Sequence, residues 1–208
     1  MKKSVFIAEK PSVAQEFAKA LKVKTTRHDG YLESENTIVT WCVGHLVTMS
    51  YPEVYDIKYK RWTLETLPFL PGEFKYEVIP AVRKQFEIVS GLLNRADVET
   101  IYVCTDSGRE GEYIYRLVAQ MAGVKGKKEK RVWIDSQTEE EIIRGIKEAK
   151  DLSAYNNLSA SAYLRAKEDY LMGINFSRIL TLRYGNSVSN YLGNKYQVIS
   201  VGRVMTCV

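Results

Sequence analysis

Three carboxylates stand within seven residues in CTDSGREGE (104–112): Asp106, Glu110 and Glu112. A fourth, Glu9, directly follows the short apolar run SVFIA (4–8), and each cluster has a cation beside an acid, Lys10 after Glu9 and Arg109 before Glu110. Carboxylates gathered at one point raise one another's proton affinity and lose solvation unless a cation sits among them. Oxygen ligands of this kind suit Mg2+, which takes one or two carboxylates and keeps waters for a phosphate substrate. An adjoining Lys or Arg suits the same substrate, because a scissile phosphate needs its charge neutralised on more than one side. A plainer reading stands beside this one. Ser107-x-x-Glu110 has the spacing of a helix capping box, and Glu9 would serve equally as a solvated residue at a strand end.

The metal chemistry requires the two clusters to be brought to one place. SVFIA reads as a buried strand, and Pro11 suits the first turn of a helix with Val13, Ala14, Phe17, Ala18 and Leu21 on one face. TIVTWCVGHLV (37–47) is β-branched and aromatic, broken at Gly44. Residues 51–79, rich in Pro and Tyr, read as extended loops and an edge strand. Residues 80–96 read as a helix with Val82, Phe86, Val89 and Leu93 on one stripe. ETIYVC (99–104) is a second apolar strand, and GREGEYIYRLVAQMAG (108–123) a helix ended by Gly123. RVWI (131–134) reads as a third strand. TEEEIIRGIKEA (138–149) reads as a helix whose acidic first turn the helix dipole favours.

Strand and helix alternate throughout this region, which predicts an α/β domain with a parallel sheet. Ligands gather at the carboxyl ends of such strands. If SVFIA and ETIYVC are neighbours, Glu9 and Asp106 share one edge, joined by Glu110 from the first turn of the next helix. Glu112, two residues further along that helix, points elsewhere. From about residue 151 the strands stop and a helical period without Pro takes over, so a boundary is placed near 150, dividing the chain into 1–150 and 151–208.

Composition narrows the function classes. The 208 residues are 45% hydrophobic and 26% charged, ordinary values for a soluble globular protein. No apolar run approaches the roughly 18 residues of a membrane span, and VFIA is too short for a signal peptide. No membrane association and a cytoplasmic location are therefore expected. Cys42, Cys104 and Cys207 are far apart and His28 and His45 are the only histidines, so neither a disulfide framework nor a zinc site is suggested. A lone histidine such as His45 in VGHL reads as a hydrogen-bonded structural residue. Residues 1–122 hold 16 basic and 16 acidic side chains, whereas 123–208 hold 14 and 9, which places the whole net charge of +5 there. That asymmetry is compatible with a nucleic-acid partner.

FIAEKPSVA, TWCVGHL, TDSGREGE, AKEDYLMGINFSR and SVGRV, in that order, resemble the amino-terminal part of a type IA DNA topoisomerase, with the topoisomerase III branch nearest. The resemblance runs from residue 4 to the end of the chain. It implies a Toprim domain, a Rossmann-like α/β unit with a mainly parallel sheet flanked by helices, followed by the start of the helical domain IV that lines a single-stranded DNA groove. It implies Glu9 as metal ligand and participant in strand cleavage, Lys10 as a contact to the scissile phosphate, and Arg109 beside them in the catalytic set. Asp106 and Glu110 match two acids of the family's Asp-x-Asp-x-Glu motif, and Gly108 stands where the middle acid is usual. The implied cofactor is Mg2+ and the implied partner is DNA, mainly single-stranded.

On the DNA-facing side, Arg178 falls in GINFSR, and Ser200, Gly202 and Arg203 match S-x-G-R-V-Q, with Met205 in place of Gln. Arg165, Lys167 and Arg183 are further phosphate candidates, and Tyr163, Tyr170, Phe176 and Tyr184 offer either stacking faces or core. The family's nucleophilic tyrosine belongs to a domain beyond the S-x-G-R motif. The chain is therefore expected to be a piece of a longer polypeptide, able to hold metal and DNA but not to relax supercoils alone. Two other readings remain: a Toprim nuclease or primase-like enzyme, and a non-catalytic nucleic-acid-binding module with degenerate acids.

Overall fold

The computed structural model describes residues 2–193 and 195–202. The chain forms two compact units, one of the chain up to Thr48 with Tyr76–Ala162, the other of Met49–Lys75 with the chain from Tyr163 onward. Segment 49–75 therefore groups with the later helical region.

The first unit is built on a seven-stranded sheet. Its strands are β1 (Lys3–Ala8), β2 (Thr26–His28), β3 (Tyr31–Glu33), β4 (Thr37–Trp41), β7 (Val98–Cys104), β8 (Lys128–Arg131) and β9 (Lys150–Asp151), in the order β2-β3-β4-β1-β7-β8-β9. The four central strands β4, β1, β7 and β8 run parallel, while β2, β3 and β9 add antiparallel edges. Two further strands, β5 (Val47–Met49) and β6 (Tyr76–Val78), make a separate two-stranded sheet.

Helices α1 (Pro11–Ala20) and α4 (Glu139–Lys147) pack together, as do α2 (Arg83–Leu93) and α3 (Arg109–Ala122). Phe6, Ala8, Val39 and Cys104 join Val13, Ala14, Phe17 and Ile142 in one core. The strand residues of opposite parity, Val5, Ile7, Ile38, Ile101 and Val103, are also fully buried. Since successive strand side chains point to opposite faces, the central sheet is covered on both. That explains why SVFIA and ETIYVC read as continuous apolar runs.

The third strand differs from its sequence reading. RVWI (131–134) contributes only Arg131, because the pairing Thr100↔Lys128 to Val103↔Arg131 draws the charged residues KEKR into β8. Backbone pairing to β7 on one side and β9 on the other decides this, and the apolar Val132 and Ile134 turn into the core beside α4. The β2–β3 hairpin carries no apolar run, with Thr26, Arg27 and His28 all exposed, and was not read as strand.

In the second unit, three 3-10 turns, Pro52–Val54, Ile57–Lys60 and Leu64–Thr66, occupy the stretch read as extended loop. The long helix α5 (Asn156–Leu192) contains no Pro and contributes its residues from Tyr163 onward. Asn175 Oδ1 accepts from the Phe69 N–H at 2.6 Å while its Nδ2 donates to the Phe69 carbonyl at 2.9 Å, so one side-chain amide pairs with a backbone unit. Phe69 is buried among the ring edges of Tyr55, Tyr59 and Tyr170. Further on, the amides of Gln197, Ile199 and Val201 donate to the hydroxyls of Ser189, Thr181 and Ser177. Alternate residues of an extended segment are thereby tied to the helix.

Phe17, with no exposed surface at the centre of the α1–α4 core, should be the costliest truncation on α1. Phe17→Ala is expected to lower stability by about 3–5 kcal/mol, read as a lower urea midpoint at unchanged slope.

Candidate functional site

Parallel pairing of β1 with β7 sets Ala8 opposite Cys104. The residues that follow, Glu9 on one strand and Thr105 and Asp106 on the other, therefore leave the same edge of the sheet. Glu9 is buried, and its Oε2 accepts from the Asp106 N–H at 3.4 Å. Burial pushes the Glu9 carboxyl above its usual range, nearby Asp106 pushes it further, and Glu110 adds a smaller push in the same direction. The Asp106 N–H and the charge of Lys10 pull the other way. Glu9 thus lies close enough to Asp106 and Glu110 to feel their charge.

Glu110 occupies the first turn of α3, and its Oε1 lies 2.6 Å from His45 Nε2. His45 also meets the edge of the Tyr113 ring. It arrives from the other neighbour of β1, where β4 ends and Gly44, at φ 79°, turns the chain in the left-handed region open to glycine. The sequence reading gives His45 as a hydrogen-bonded structural residue, and the structure supplies the bond, with Glu110 as its partner. Its position four residues beyond the end of a strand adjoining β1 is what brings it beside the acidic edge.

The capping-box reading of Ser107 is corrected. Gly108 is the residue that precedes α3, with no side-chain cap, and Ser107 Oγ instead accepts from the Ile134 N–H at 2.9 Å. The helix begins one residue later than the box requires. Gly111 explains how α3 comes so near: a Cβ there would stand 2.1 Å from the Asp106 carbonyl oxygen. Thr105 Oγ1 closes the contact by donating to the Gly111 carbonyl at 2.7 Å. Glu112 is fully buried and paired with Arg116 at 2.8 Å and Arg131 at 3.1 Å, so it faces away from the acidic edge as expected.

Lys10, immediately before α1, and Arg109, the first residue of α3, are exposed. Neither forms an ion pair with any described residue. A pocket of about 330 Å3 opens beside Asp106, bounded by Val13, Ser107, Asp135, Ser136 and Gln137.

In kind, the donor set fits a hard divalent cation: three carboxylates whose mutual repulsion a cation would relieve. In arrangement it is not yet assembled. Among the described residues no group of three or more His, Cys, Asp or Glu side chains stands ready to hold a metal ion, and Glu110 is engaged by His45.

The nucleic-acid candidates other than Lys10 belong to the second unit. Arg178 is 5% exposed, its guanidinium 5.2 Å from the Trp62 ring, and its Nη1 is buried without a hydrogen-bond partner among the described residues. Burial lowers its pKa, opposed by the charge of Glu53. Ser200 is exposed and Gly202 half-buried, while Arg203 and Met205 lie outside the described residues. Tyr170 is structural, its hydroxyl donating to the Ser50 carbonyl at 2.6 Å. Phe176, Arg183 and Tyr184 are exposed, and the first two line a groove of about 350 Å3 with Leu64, Leu67 and Pro68.

The raised Glu9 carboxyl carries a stability consequence of definite sign. The folded state takes up this proton more readily than the unfolded chain, so stability falls as pH rises from the ordinary glutamate range through the raised value. Glu9→Gln is therefore expected to be more stable than the parent at pH 7, with the gain vanishing below pH 4. Urea melts at both pH values check this; an equal gain at both would remove the assigned cause.

A family model for the Toprim domain matches residues 4–136. The chain is 48% identical to DNA topoisomerase 3 of Bacillus anthracis over 184 residues, covering 88% of this chain and 25% of that protein. It is 44% identical to DNA topoisomerase 3 of Staphylococcus saprophyticus over 187 residues, covering 90% and 26%. The chain thus spans about a quarter of the length of the curated relatives it matches. No helix among the described residues is long and apolar enough to cross a membrane. With a mainly parallel sheet flanked by helices and acids at its carboxyl edge, and a family match over well over half its length, the chain belongs to the Toprim domain family.

Proposed function

We propose that this chain is the metal- and DNA-holding part of a topoisomerase III-like enzyme that cleaves and rejoins single DNA strands through a tyrosyl intermediate. The observation that carries this reading is the convergence of Glu9 and Asp106 at the edge shared by β1 and β7, with Glu110 entering from α3. Similarity to DNA topoisomerase 3 over nearly all of the chain supports it. Because those relatives are about four times longer, strand transfer is proposed for the whole enzyme, its nucleophilic tyrosine supplied by a part this chain does not cover.

Glu9, Asp106 and Glu110 would hold Mg2+, which when bound neutralises charge on a phosphate. Lys10 and Arg109, exposed beside these acids, are free to meet the same phosphate from the protein side. Arg178 keeps a buried donor in reserve above Trp62, and exposed Phe176 and Tyr184 offer faces to unpaired bases, as expected of a single-stranded DNA groove. In Ser200 the segment tied to α5 offers an exposed hydroxyl to the same strand. A cytoplasmic location accords with such a substrate.

Asp106→Asn should weaken Mn2+ binding, followed by electron paramagnetic resonance, by about tenfold or more, since affinity tracks ligand charge. Unchanged affinity would mean a degenerate site and a non-catalytic module. Gly108→Asp tests the departure from the family motif: a Cβ at Gly108 meets nothing within 4 Å. The added carboxylate should tighten the same binding by roughly tenfold.

The chain mixed with end-labelled single-stranded DNA and Mg2+ should shift the DNA on a native gel and leave it uncut on a denaturing gel. Cleavage by the chain alone would point to a Toprim nuclease instead. Absence of a shift would remove the DNA surface from the reading.

A further inference from the structure

We infer that Arg131 is a positioning residue: its guanidinium, held by Glu112, fixes the backbone that carries Asp106 and Glu110 at the sheet edge. Arg131 ends β8 and has no exposed surface. Its Nη1 donates toward the carbonyls of Val103, Thr105 and Val132 at 3.0, 2.7 and 3.1 Å, and its Nη2 donates to the Asp106 carbonyl at 2.6 Å. Three of these four carbonyls belong to the end of β7 and the turn that presents Asp106. The remaining donor, Nε, meets Glu112 Oε2 at 3.1 Å. Glu112 lies on α3 two residues after Glu110, so one planar group ties together the strand, the turn and the helix that deliver the two acids.

An ion pair this deeply buried is poor evidence for stability, because the loss of hydration on both groups offsets most of their attraction. Its geometry is the informative part. The guanidinium fork presents five donors in fixed directions. An ammonium of the same charge, with three hydrogens on one nitrogen, cannot serve these four carbonyls and the carboxylate together. Glu112 is itself held by Arg116 Nε at 2.8 Å, and Arg116 Nη2 donates to the Leu152 carbonyl at 2.8 Å. The Trp133 ring lies 5.4 Å from the Arg131 guanidinium. Neither Arg131 nor Glu112 faces the acidic edge, so both act through the Asp106 turn.

This inference rests on the proposal that Asp106 and Glu110 take a divalent cation, and the test separates the two. Hydrogen–deuterium exchange of residues 104–112 and Mn2+ affinity are measured on the full chain, on Arg131→Lys and on Val89→Ala. Val89 is fully buried on α2, and its truncation supplies a loss of stability that removes none of the Arg131 hydrogen bonds. Arg131→Lys should speed exchange over residues 104–112 and weaken Mn2+ binding, each by about tenfold or more, whereas Val89→Ala should change neither. Loss of stability in Arg131→Lys with both readouts unmoved would make Arg131 an ordinary core residue and overturn the inference. If the parent chain takes no Mn2+, the cation reading falls, and the exchange rates alone uphold or overturn the role of Arg131. Should Arg131→Lys fail to fold, Glu112→Gln, which keeps the shape and removes the balancing charge, carries the same comparison with the same expected direction.

Discussion

A parallel pair of strands delivers the residues that follow them to one edge, and the acidic site depends on that delivery by β1 and β7. Register is the sensitive quantity. With Ala8 opposite Cys104, the first acid after β1 meets the turn after β7, and the Asp106 N–H finds the Glu9 carboxylate. A slip of one residue would exchange the faces of Phe6 and Ile7, both buried, and disrupt the core before it moved the site. The two apolar strands thus hold the register, and the carboxylates, which repel one another, are placed by it.

That division of labour continues around the Asp106 turn. Gly111 lets α3 start against the Asp106 carbonyl, Thr105 and Ser107 tie the turn to α3 and to the chain after β8, and Arg131 gathers the carbonyls between them. Gly111, Thr105 and Ser107 carry no charge, and that of Arg131 is met by Glu112. The charge that faces outward on Asp106, Lys10 and Arg109 is left for a ligand or for solvent, while Glu110 is held by His45. The raised Glu9 carboxyl belongs to this arrangement: its burial pushes it up first, and the nearby Asp106 adds to that.

The second unit solves a different problem, how to hold long stretches without regular strand structure against a helix. Asn175 does so by treating Phe69 as a strand partner, and Ser177, Thr181 and Ser189 do so by accepting alternate amides of residues 197–201. Short hydroxyl side chains at these spacings suit one face of the helix and leave the opposite side of the extended segment, where Ser200 stands, open.

Much of this was legible in the sequence. Continuous apolar runs marked β1 and β7, because strands covered on both faces need no alternation, and the turn residues Pro11 and Gly123 marked a helix start and a helix end. The residue types and spacing at Glu9, Asp106 and Glu110 determined the chemistry available. What the sequence did not determine was partnership. The charged strand KEKR, the place of His45 beside Glu110, the true start of α3 after Ser107, and the burial of Glu112 with Arg131 all depend on neighbours distant along the chain. Local pattern reports how a segment partitions between water and core. Only the tertiary structure decides which charge meets which, because a buried polar group is satisfied by whatever the fold brings within hydrogen-bond reach, and that reach is blind to sequence distance.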